Sequence, residues 1–296
     1  MGFGKIQEIL DKAKSENLSF WEVVLQDDML ERNVSKEESF SKMEKMFAAM
    51  LSADKNYSPE LRSSSGLSGG DGAKLEIFRK QKNRLLGTFL TTVMEKAVKM
   101  GESNACMKRI VAAPTAGSCG VIPAVLITYY EQKKPAKEKI IESLYVAAGI
   151  GQVIATTASI SGAEGGCQAE IGSASAMAAG AITYLDEDGS AEKDIINNQI
   201  ANSAALAMKN MLGLTCDPVA GLVEVPCIKR NVSGAVNAVI ASQMTKAGIK
   251  SAIPADEVIE SMGRIGSLIP PCLRETSQEG LAATQAAQKI VEKMQS

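Results

Sequence analysis

Apolar residues recur at three- and four-residue steps through the first 60 residues, at Ile6, Ile9, Leu10 and Ala13 and again at Met43, Met46, Phe47 and Met50. That spacing places them on one face of a 3.6-residue repeat, so this end is predicted helical with its charges outward. Residues 62–73, RSSSGLSGGDGA, lose the period to serine and glycine and read as a loop that opens a helix. The helix after it is predicted to run from about Lys74 to Lys99. Pro114 and a Gly-x-x-Gly at 117–120 precede a further apolar helix that Lys133, Lys134 and Pro135 close. More helices are predicted near 137–160, 169–185, 191–212 and 231–248, with the turn-rich GLTCDPVAGLVEVPCIKRN (213–231) between the last two. Strand-like alternation is confined to short pieces such as LVEV, and no repeat or low-complexity linker divides the chain. The predicted fold class is therefore mostly α, a single helical domain with Gly/Ser-rich loops.

Composition sharpens this picture. Aromatic residues make up 4% of the 296 positions, so closely approaching Ala- and Gly-rich helices, rather than large rings, must fill the core. Lys and Arg (32) nearly balance Asp and Glu (34) and are scattered, which leaves no basic footprint for nucleic acid or an anionic membrane. The uncharged run 143–163 is long enough to span a bilayer, but Gln152 and its many small polar residues read as a packed buried helix. The charged, periodic stretch that follows Lys5 lacks the apolar core of a secretion signal, and the chain is predicted cytoplasmic.

Six cysteines in a chain of this size are too sparse for a disulfide framework, and the absence of histidine removes the commonest general base. Cys167 in EGGCQAE, Cys216 in LTCDPVAG and Cys227 in VPCIKRN sit at predicted loop–helix junctions, where helix-start N–H groups, Lys229 and Arg230 are available to polarise a thiolate. Such settings suit metal ligation, although the spacings match no zinc finger or ferredoxin run. Cys106 and Cys272 read as small buried residues, and Cys119, in the Gly-x-x-Gly loop, fits either role.

APTAGSCGVIPAVL (113–126), SGAEGGCQAEIGSASAMAA (161–179) and GLTCDPVAGLVEVPCIKRN (213–231), supported by RSSSGLSGGDG and LRETSQEGLA (273–282), resemble the signature blocks of the α chain of bacterial iron–sulfur L-serine dehydratase. The likeness covers most of the chain after about residue 60, so residues 1–60 are expected to be an N-terminal helical segment of the same domain and 61–296 the catalytic region. The resemblance implies a [4Fe–4S] cluster on Cys167, Cys216 and Cys227, with a fourth iron open as a Lewis acid for loss of the serine hydroxyl. The resulting aminoacrylate would then give pyruvate and ammonia. Gln168, Glu164 and Glu170 are candidates to orient ligands or substrate, or to cap structure locally.

Ser63, Ser64 and Ser65 are candidates to bind the substrate carboxylate at a helix start or to serve as the base, with a plain turn as the other reading. A separate β chain is the expected partner, because single-chain members of the family carry a second region that this sequence lacks. Some of those members also end in a cysteine tail, where this chain ends KIVEKMQS. The alternatives are a pyridoxal-phosphate lyase using Lys74, a cysteine desulfidase on a similar cluster, and a non-catalytic subunit.

Overall fold

The N-terminal periodicity becomes three helices, α1 (Ile6–Glu16), α2 (Phe20–Arg32) and α3 (Lys36–Lys55). Reciprocal capping boxes start the second and third, Ser19 with Glu22 and Ser35 with Glu38, each pair satisfying N–H groups that a helix start leaves free. Their inward faces, with Ile6, Ile9, Phe20, Val23, Phe47 and Met50, join one hydrophobic core that continues to Met262. The computed structural model describes residues 2–82 and 84–295.

The helix predicted from Lys74 to Lys99 is two helices, α4 (Asp71–Arg79) and α5 (Thr88–Ala105). Gly87, with φ −64° and ψ 168°, is the extended residue that begins α5. Arg84 folds back to donate to the carbonyls of Arg79 and Gln81. The helices run antiparallel, held by Arg79–Glu95 at one end and Lys99–Glu76 (2.9 Å) at the other, with Lys99 also 2.6 Å from Glu95. The sequence between them holds no proline, and its exposed Leu85 and Leu86 imitate a continuing apolar face.

The rest is α6 (Val121–Lys133), α7 (Lys137–Thr157), the short α8 (Gly162–Gly165), α9 (Ser173–Leu185), α10 (Lys193–Lys209), α11 (Cys227–Lys246), α12 (Ala255–Leu268) and α13 (Gln285–Gln295), of which α6, α7, α9, α10 and α11 follow the predicted order and α8, α12 and α13 are additional. At the centre lies α9, SASAMAAGAITYL, packed on α6, α7, α10 and α11. Its small residues permit the approach: a Cβ on Gly180 would stand 2.3 Å from Ile150 of α7. Helix α7 is long and apolar enough to cross a membrane, but 67% of its apolar window is buried inside the fold, as the sequence predicts. LVEV forms no strand. Among the described residues the only β pairing is an isolated bridge between Cys216 and Arg274.

Candidate active site

Two of the predicted thiols stand at helix starts, Cys167 before the turn into α9 and Cys227 on α11, whereas Cys216 lies in the loop between α10 and α11, on the bridge to Arg274. Cys167 follows Gly166, which has a φ of +76° and where a Cβ would stand 2.7 Å from the Leu214 carbonyl oxygen, so no side chain fits. After Cys167 the chain makes a π-helical turn, Gln168–Gly172, that leads into α9. Such turns rotate the side chains after them relative to an α-helix and recur at functional sites. Gln168 is fully buried and knits the loop together: its Oε1 accepts from Gly213 N–H (2.9 Å), and its Nε2 donates to the carbonyls of Gly165 (2.9 Å) and Met262 (3.2 Å).

Cys216 is pinned through its backbone, donating to the Leu273 carbonyl (2.9 Å) and accepting from Glu275 N–H (2.7 Å). Cys227 is the first residue of α11. Asn231, one turn on, donates to the carbonyls of Cys227 (3.0 Å) and Gly117 (2.7 Å) and accepts from Gly120 N–H (2.8 Å), fastening that helix to the Gly-x-x-Gly loop. The sequence marks Asn231 only as a polar residue on a helix, and its clamp role emerges from the fold.

All three thiols are free and buried. Burial pushes Cys167 up to about 11 and Cys227 up to about 12, and pushes Cys216 above the usual thiol range. They also share one electrostatic environment. Cys167 raises both Cys216 and Cys227, Glu170 raises all three, and Arg230 lowers Cys167 and Cys227. Arg230 is the cation whose charge lowers Cys167 and Cys227, and it is held by the Thr215 carbonyl (2.8 Å) and Asp217 (2.8 Å). Lys229 points away to Asp71 at the surface (2.7 Å).

Of the three polar residues flanking Cys167, Glu170 is the one beside the thiols. Its Oε1 accepts from the Thr115 hydroxyl (2.8 Å). Its carboxylate lies against two glycines: a Cβ on Gly117 would come within 2.9 Å of Oε2, and a Cβ on Gly162 would stand 3.1 Å from both Glu170 Oε2 and Cys216 Sγ. Burial raises the Glu170 pKa above the ordinary carboxylate value, and the Thr115 bond opposes that shift. Glu164 instead accepts from Ser159 (2.6 Å) and faces a cavity of about 480 Å³ against α12. Gly162→Ala is expected to lower the unfolding free energy by about 1–3 kcal/mol, the usual cost of adding a methyl to a filled site. An unchanged denaturation midpoint would show that the Cys216 and Glu170 side chains are free to move aside.

The serine loop differs from expectation. Ser63 and Ser65 donate to the two oxygens of Glu224, at 2.7 and 2.8 Å, and lie 2.9 Å from each other. Ser64 between them is exposed. The helix start predicted to face a substrate anion is filled by the chain's own carboxylate: Glu102, 1% exposed, accepts from Asp71 N–H (2.8 Å), Gly72 N–H (3.1 Å) and the Tyr57 hydroxyl (2.6 Å). Lys74 is an exposed partner of Asp71 (2.8 Å) and is not buried in a cofactor pocket.

Cys119 is a core residue, 3.8 Å from the Met100 carbonyl, with burial pushing its thiol up to about 12. Cys106 ends α5, and Cys272 sits half-buried on the Pro271–Leu273 turn.

An all-helical domain that gathers three buried free thiols from separate loops beside one arginine and one carboxylate matches a known family. Residues 15–282 match the family described as serine dehydratase alpha chain, and the chain belongs to that family. It is 44% identical over 292 residues to the probable L-serine dehydratase, alpha chain, of Bacillus subtilis, covering 99% of this chain and 95% of that one. It is 38% identical over 285 residues to the L-serine dehydratase, alpha chain, of Peptoniphilus asaccharolyticus, covering 96% and 95%. With the L-serine dehydratase of Helicobacter pylori strain J99 it shares 34% identity over 293 residues, which are 95% of this chain and 62% of that longer one.

Proposed function

We propose that this chain is the cluster-bearing subunit of an L-serine dehydratase, a carbon–nitrogen lyase that converts L-serine to pyruvate and ammonia, and that Cys167, Cys216 and Cys227 hold a [4Fe–4S] cluster. The observation that carries the reading is the convergence of these three buried, disulfide-free thiols on one electrostatic environment in a chain of this family. The donor set fits a polynuclear group. Three cysteines and no histidine make a soft sulfur donor set, the kind that iron–sulfur clusters take. A single zinc needs all its donors within about 2.0–2.3 Å of one centre, whereas a cluster takes one thiolate at each of several separate irons. The cradle of Gly162 and Gly117 keeps side chains out of that space.

When bound, such a cluster supplies a Lewis-acidic iron for departure of the substrate hydroxyl. The chain's own residues hold the surroundings. Arg230 offsets negative charge at Cys167, Thr115 orients the Glu170 carboxylate, and Asn231 fixes the Cys227 loop against Gly117. Ser64, the one serine of its loop left facing solvent, is the candidate for substrate contact. With no histidine in the chain and relatives named as alpha chains, a β chain is the proposed partner for the proton-transfer groups. A reducing cytoplasm and a place in amino-acid catabolism belong to the same reading.

The test is anaerobic reconstitution with iron and sulfide, followed by exposure to air. The expected result is a chromophore and serine turnover that both decay in air and return with ferrous iron and a thiol. Oxygen-stable turnover without iron would point to a pyridoxal enzyme. Sulfide release from L-cysteine without pyruvate from L-serine would point to a desulfidase.

A further inference from the structure

Glu224 lies three residues before Cys227, is 5% exposed, and has no cation among its hydrogen-bond partners. Its two oxygens take the protons of Ser63 and Ser65, residues more than 150 positions earlier in the chain. Those hydroxyls in turn accept backbone N–H groups of their own loop, Ser65 from Leu67 (3.0 Å) and Ser63 from Ser68 (3.2 Å). The loop closes on itself where Ser63 N–H meets the Ser68 carbonyl (3.0 Å). At its other end Glu224 enters α11: its carbonyl accepts the N–H of Ile228 (3.0 Å), the residue after Cys227. One residue therefore carries both the inner hydrogen bonds of the serine loop and the first helical turn around Cys227. A buried carboxylate is stable there only while both hydroxyls remain in place, since an unmatched buried charge is costly.

We propose that Glu224 is a positioning residue that couples the serine loop to the Cys227 segment, so that loading of the metal site and ordering of residues 62–70 rise and fall together. The proposal rests on the assignment of Cys227 as an iron ligand. Ser63 and Ser65 are then anchors rather than bases, and they present Ser64 at a fixed place.

Hydrogen exchange, read by mass spectrometry on the full cluster-loaded chain under anaerobic conditions, tests this. Glu224→Gln keeps the shape but turns one acceptor into a donor, and it is expected to speed exchange of the Leu67 and Ser68 amides by about tenfold. Ser65→Ala should do the same at Leu67, while Ser65→Thr, which keeps the hydroxyl, should restore slow exchange. Chelating iron from the unaltered chain should speed exchange across 62–70, and in Glu224→Gln it should add nothing further. Unchanged loop exchange, either in Glu224→Gln with iron bound at the normal level or in the unaltered chain after its iron is chelated, would overturn the coupling alone. Failure of the unaltered chain to hold iron at all would overturn the assignment of Cys227 and with it the proposed function.

Discussion

Cys216→Ser is expected to bind less than half the iron of the unaltered chain and to lose its visible chromophore, and Cys167→Ser and Cys227→Ser should behave alike. A serine hydroxyl is a harder donor and far less readily deprotonated than a thiol, so it competes poorly for iron. Cys216 is the most exacting of the three positions. Its backbone N–H and carbonyl are both held, by Leu273 and Glu275, and its sulfur lies beside Gly162. Cys106→Ser, at the end of α5, should retain full iron and serves as the control. Iron and sulfide analysis after anaerobic reconstitution decides the matter. A full cluster spectrum from any of the three variants would remove that residue from the ligand set.

The second large effect concerns the partner. The isolated chain should bind the cluster yet turn over L-serine about 10²–10⁴-fold more slowly than the pair, the usual contribution of positioned acid–base groups. The expectation follows from a polypeptide without histidine in which Ser63 and Ser65 already give their protons to Glu224. Adding the β chain should restore the rate with no change in iron per chain. Full activity from this chain alone would place the base within it, and Ser64 and Glu170 would be the residues to substitute first.

The helices are legible in the sequence because burial on one face imposes a 3.6-residue period that survives in any sequence that packs this way. The run of small residues places α9, and the three thiols stand out because their contexts, EGGCQAE, LTCDPVAG and VPCIKRN, resemble the signature blocks of the family. The carboxylates that organise the serine loop leave no such trace. Glu102 and Glu224 come from elements 31 and 161 residues away in sequence, and nothing local distinguishes either from an ordinary surface acid. The roles of Glu164, Gln168 and Glu170 are equally hidden. All three flank Cys167, but Glu164 sits on α8 and turns to solvent, while the π-helical turn after Cys167 carries Gln168 into the core and Glu170 to the thiols. The break between α4 and α5 escapes a reading by period because its single glycine stands after an apolar pair that prolongs the helical pattern.

The late segment that pairs with Cys216 also sets an order of assembly. The backbone of Cys216 is completed by Leu273 and Glu275, and Asp217, which anchors Arg230, accepts the N–H of Leu281, 64 residues further on. At about 5–20 residues per second, roughly 3–13 s of synthesis separate those two halves of one loop. During that interval a nascent chain already displays all three thiols without the framework that holds Cys216 in place. If the three thiols hold a cluster, a ribosome-bound chain would offer iron an unfinished receptacle until residues 273–281 close on the Cys216–Asp217 segment.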